Sequence, residues 1–128
     1  MLKFFADSLA GHSRTRLFWR LALLLLLCVG TWLALVPAPP RQATLGWDKL
    51  NHAVAFAMLA ALGALGFAHA RVRIALALFA YGALIEVLQS FTPTRTAEWL
   101  DLLADVLGIA AGMLLTRVLS GVVLRRRI

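Results

Sequence analysis

Six ionisable residues fall into three short groups that could do chemistry together: Asp48, Lys49 and His52; Glu86, with Gln89 three places on; and Asp101 with Asp105. Arg95 lies between the second group and the third. In one arrangement His52 is a general base, Glu86 or Asp105 an acid, and the Arg95 fork holds a phosphate or carboxylate. In another the same groups bind a polar headgroup, or pass a proton or cation. A metal set of His52, Glu86, Asp101 and Asp105 offers three oxygens and a nitrogen. The spacings HxxxE and HxxH are absent, so its ligands would have to come from three segments, and no metal or cofactor is expected. No nucleophile elbow, phosphate loop or redox motif is present. Gln89, Ser90 and Thr92 read as polar helpers. Against all of these stands a structural ion network, since buried charges are paired whether or not they act. Asp101 and Glu98 also suit the start of a helix, where an acid complements the dipole.

The elements that must position these groups are apolar. The 128 residues are 62% hydrophobic and 15% charged, against about half and about a quarter in soluble domains. So greasy a chain calls for a bilayer, which a helix crosses in about 20 apolar residues. Four stretches qualify, at about 17–36, 49–70, 74–91 and 99–118. Leu and Ala dominate them, without strict alternation, which excludes strands. The expected architecture is all-α, a single membrane domain over 1–128 built as a four-helix bundle. No repeat or low-complexity segment interrupts it.

Cytoplasmic loops carry the excess of Lys and Arg. With both termini cytoplasmic, ten of the 13 basic residues fall inside and five of the six acids outside. Arg41, Lys49 and Arg95 are the outer bases. The basic ends are therefore orientation signals, and no nucleic-acid module accompanies them. The first stretch also has the basic start and apolar core of a signal peptide. Its length, and Arg20 at its inner edge, favour a retained helix; cleavage would leave three spans in the same orientation. Cys28, the single cysteine, has no partner for an internal disulfide.

In this orientation three helix ends deliver polar groups to the outer side. Asp48, His52 and Phe56 recur every four residues on one stripe. Asp101, Asp105, Gly108 and Gly112 form another. Counted from Arg73 and Arg117, Glu86 and Asp105 lie about 20 and about 18 Å up their helices, at similar depth. A carboxylate there must face the bundle interior. Gly108 and Gly112 make a GxxxG match, a helix-packing signal that could also join two copies. Trp47 and Trp99 read as interface anchors.

The segments "DKLNHAVAF" and "IEVLQSFTPTRTAEWLDLLADVLGIAAG" resemble the VanZ-like family of small bacterial membrane proteins, from about Asp48 to Gly112. Many members carry Asn where this chain has Asp105, which makes this site more acidic. The family is named for a protein linked to low-level teicoplanin resistance. The resemblance implies a multi-pass protein of the bacterial inner membrane and a role in the cell envelope. It implies no reaction. The expected function is binding of an amphiphile, a lipid headgroup or a membrane protein through Asp48, Lys49, His52, Glu86, Gln89, Arg95, Asp101 and Asp105. The alternatives are an enzyme on an outer-leaflet or cell-wall precursor, and a small transporter. The partners expected are the bilayer, that ligand, and a second copy through Gly108 and Gly112.

Overall fold

The structure is a computed structural model that describes residues 13–37, 47–92 and 98–125. Arg95, one of the expected site residues, lies outside them. Four helices follow one another: α1 (Ser13–Leu35), α2 (Asp48–Gly66), α3 (Arg71–Ser90) and α4 (Trp99–Arg125). All four are long and apolar enough to cross a membrane. They run up and down, so that α1 and α3 end where α2 and α4 begin.

The centre is the parallel pair α2 and α4. Small residues make their approach close. A Cβ added to Gly108 would collide with the Ala53 carbonyl, and one added to Gly112 with that of Ala57. These contacts repeat every four residues on both helices, the spacing at which ridges of one helix fit grooves of another. The GxxxG pair is therefore consumed inside the chain. The expectation that it joins two copies is corrected: both glycines are buried against α2 and are closed to a second molecule. Leu23, Phe56, Leu59, Ala60, Leu78 and Ile109 form the core around that seam.

Helix α1 buries little, with only Thr15 and Leu23 inside. Polar latches hold it at two levels. Near its start Arg20 Nε donates to the Gly66 carbonyl at 2.9 Å, with the guanidinium 4.5 Å from the Phe67 ring centre. Near its end the Thr31 and Tyr81 hydroxyls meet at 2.9 Å beside the Leu27 carbonyl, and Gln89 Nε2 donates to the Ala34 carbonyl at 3.0 Å. Without water as a competing partner, such bonds contribute about 0.6–2 kcal/mol each.

Four helix bounds differ from the sequence-based ones: α1 starts at Ser13 rather than about 17 and α3 at Arg71 rather than about 74, and the ends of α2 and α4 differ as well. Helix α2 stops at Gly66 rather than near Ala70. Phe67 leaves the helical region, Arg20 satisfies the buried Gly66 carbonyl, and α3 begins at Arg71 after a four-residue turn. Helix α4 runs to Arg125 rather than 118. No proline interrupts it, and the Thr116 and Ser120 hydroxyls donate to carbonyls of their own helix. That satisfies two buried polar groups without breaking the ladder.

The outward faces carry large apolar residues such as Leu24, Leu25, Val72, Leu76, Leu107 and Leu114, each more than half exposed. Lipid is the solvent that suits them. Expected outcome: Gly108→Ala and Gly112→Ala each lower stability by about 1–3 kcal/mol, the usual cost of overpacking. Gly121→Ala meets nothing within 4 Å and is neutral or mildly stabilising. Denaturant titration of the protein in detergent measures all three.

Candidate functional site

The acidic groups collect where α2 and α4 start and α3 ends. Asp48 and His52 stand one turn apart on α2, on the stripe that continues to Phe56. His52 Nδ1 lies 2.8 Å from Asp105 Oδ1 across the α2–α4 seam. Asp105 is fully buried, and His52 is 9% exposed. Below the imidazole the Phe56 ring lies nearly parallel to it, 4° off, and closes the site towards the core. The other oxygen of Asp105 packs against Gly82 of α3, where a side chain would occupy its place. Glycine at 82 is thus the condition for the carboxylate to fit.

One turn nearer the helix ends, Asp101 is 2% exposed. Lys49 Nζ sits 3.3 Å from its Oδ1 and 2.6 Å from Glu98 Oε2. The contact to Glu98 is a hydrogen bond; that to Asp101 is an ion pair without hydrogen-bond geometry. Glu86 reaches the start of α4, where its Oε2 accepts from the Glu98 backbone N–H at 2.9 Å. An anion there also meets the positive end of the α4 dipole.

Glu86 and Asp105 are not level, as residue counting suggests. Glu86 meets Glu98 at the start of α4, whereas Asp105 meets Gly82, one turn earlier on α3. The two carboxylates are therefore staggered along the bundle. Gln89 also leaves the cluster: its amide ties α3 to α1 at Ala34. Ser90 and Thr92 are spent on carbonyls of α3, Val87 and Leu88.

Sequence reasoning missed Glu98, which joins Lys49 by its side chain and Glu86 by its backbone. It also missed Gly82 and Phe56 as walls of the site. The spacing of Gly82, four residues before Glu86, was a readable signal of the face that α3 turns to α4.

The polar balance is uneven. Among the described residues, Asp48, Glu86, Glu98, Asp101 and Asp105 face Lys49 and His52. Glu86 Oε1, Asp101 Oδ1 and Asp105 Oδ2 are buried without a hydrogen-bond partner among the described residues. Buried carboxylate oxygens left this way are costly unless a donor or cation reaches them. Trp47 and Trp99 flank the same end and are well exposed. At the opposite end Arg16, Arg20, Arg71 and Arg73 gather at the starts of α1 and α3.

The family model described as VanZ/LLP1 matches residues 9–120, which takes in the whole cluster. The chain belongs to the VanZ/LLP1 family, and with its four apolar helices it is a multi-pass membrane protein. No curated protein and no solved structure matches it.

Expected outcome: Asp105→Ala leaves the buried His52 nitrogen unpaired and costs about 1–3 kcal/mol. Asp105→Asn keeps an acceptor oxygen for that nitrogen and costs less. Gly82→Ala forces the Asp105 carboxylate aside and destabilises the wild type more than it does the Asp105→Ala chain, in which the clashing oxygen is gone. A double-mutant cycle on thermal unfolding in detergent reads the coupling.

Proposed function

We propose that this VanZ-family protein binds the polar headgroup of an amphiphile at the extracytoplasmic face of the bacterial inner membrane. One observation carries the reading: three helices bring their polar residues to one end of an otherwise apolar bundle, and the rim of that cluster stays reachable. Lys49 and Glu98 are 26% and 46% exposed at the side chain, above the buried Asp101 and Asp105. Trp47 and Trp99 beside them suit the headgroup region. The concentration of arginine at the far end supports an extracytoplasmic location for the acidic end.

The packing favours binding at the rim over the two alternatives. A transporter needs a continuous polar path, yet below His52 the core at Phe56, Leu59, Ala60 and Ile109 is apolar, and the buried Thr116 and Ser120 hydroxyls further down are bonded to their own helix. The His52–Asp105 pair has the form of a base with its orienting carboxylate. The hydroxyls of Ser90 and Thr92, however, turn back to carbonyls of α3, and among the described residues no cysteine, serine or threonine is seen to hydrogen-bond the pair. A role in susceptibility to an acylated glycopeptide such as teicoplanin fits a rim that binds amphiphiles.

Three measurements test this. In a Cys28→Ala background, Trp47→Cys is expected to react with a membrane-impermeant maleimide added to intact cells; labelling only from the cytosolic side overturns the orientation. Purified protein in nanodiscs is titrated with a short-chain phosphatidylethanolamine, whose ammonium suits the carboxylates and whose phosphate suits Lys49, read by tryptophan fluorescence. Glu86→Ala and Lys49→Ala are expected to weaken the response at least tenfold while the fold persists. Unchanged binding in both sinks the headgroup reading. Cells expressing these variants at equal protein level are then compared for teicoplanin susceptibility.

A further inference from the structure

Asp48, His52 and Asp101 each present a ligand atom, and the three atoms lie within 4.8 Å of one another. Ligands about 2.0–2.2 Å from a common metal ion stand about 3–4 Å apart, so a small contraction closes the set. Two of the three come from successive turns of one helix, Asp48 and His52 at i and i+4, the spacing that lets one face hold two ligands. The third comes from the first turn of the parallel helix α4. The closeness of α2 and α4, set by Gly108 and Gly112, brings it within reach.

A second observation stands apart from the cluster itself. Asp101 has a side chain 3% exposed, and its Oδ1 has no hydrogen-bond partner. A buried carboxylate oxygen in a low dielectric calls for a cation. The Lys49 ammonium, 3.3 Å away, answers only in part, because it is held closer by Glu98 at 2.6 Å.

A third feature concerns His52. Its Nδ1 is engaged by Asp105 Oδ1 at 2.8 Å. With Nδ1–H donating to that carboxylate, the lone pair stays on Nε2. A buried carboxylate behind a histidine is the usual support of a metal-bound imidazole. Phe56, parallel to the ring, holds its plane.

We propose that Asp48, His52 and Asp101 bind one divalent transition-metal ion, with Asp105 as the positioning residue behind His52. One imidazole and two carboxylates suit an ion of intermediate softness, such as Zn²⁺ or Mn²⁺, better than Ca²⁺ or Mg²⁺. Three protein ligands leave coordination positions open for water or an anionic oxygen. Lys49 is the rival cation: when the ion enters, the ammonium leaves Asp101 and stays with Glu98. The set differs from the one that spacing suggested, because Glu86 is engaged at the start of α4 and takes no part. The proposal does not depend on headgroup binding, since it concerns Asp48 and Asp101 rather than the rim pair.

The test uses the full chain, tag removed, in nanodiscs, stripped with chelator and dialysed against Zn²⁺ or Mn²⁺. Metal content by mass spectrometry is expected to reach one ion per chain for at least one of the two. Asp48→Asn, His52→Ala and Asp101→Asn are each expected to weaken binding at least tenfold. Asp105→Asn weakens it by about 10–100-fold. Co²⁺ in place of the native ion reports the imidazole through its visible spectrum, and that signature disappears in His52→Ala. Asp48 is exposed, so Asp48→Asn folds even if the buried variants do not. A folded wild type without stoichiometric metal overturns the proposal. So does metal that Asp48→Asn binds as tightly as wild type. Phosphatidylethanolamine binding in metal-free protein is scored separately, so that the failure of one reading is not mistaken for failure of the other.

Discussion

Gly108 and Gly112 let α4 lie against the backbone of Ala53 and Ala57, and the geometry above that seam follows from this approach. At such a distance the side chains one turn further along cannot avoid one another. His52 and Asp105 meet at 2.8 Å and are closed off by Phe56 and Gly82. Asp101 and Lys49 meet one turn higher. A wider pair of helices, with alanine or valine at the two glycine positions, would separate these groups and leave each carboxylate to seek water.

The bilayer explains why so few polar contacts organise so much. Apolar side chains gain little by leaving lipid for the bundle interior, so close packing and internal hydrogen bonds decide which helices associate. Helix α1 illustrates this. It buries only two residues, yet Arg20, Thr31 and the Gln89 amide anchor it near both ends. The polar latch at Gly66 also sets the end of α2, because a carbonyl freed from its helix in oil needs a donor.

Much of the fold was legible in the residues. Four apolar stretches, their helical nature, the basic and acidic ends, and the stripe of Asp48, His52 and Phe56 all follow from composition and period. Boundaries were less legible where a tertiary contact decided them, as Arg20 did at Gly66. Within the candidate site, Asp48, Lys49, His52, Glu86, Asp101 and Asp105 could be named from their types and positions. Gln89 could not be assigned correctly, since its distance from Glu86 is equally suited to facing α4 or α1. Glu98 looked like an ordinary acid at a helix start, and only the arrival of Glu86 and Lys49 gives it two roles.

The sequence by itself determined the solvent of this protein, because hydropathy and length leave a chain of this kind no stable place in water. It determined the helical class, since every backbone group in lipid must be bonded within its own segment or a closed barrel. It placed the ionisable groups at one set of helix ends. Only the tertiary structure decided which carboxylate meets which partner. That choice depends on the rotation and separation of helices far apart along the chain, and these were settled where a glycine met a carbonyl.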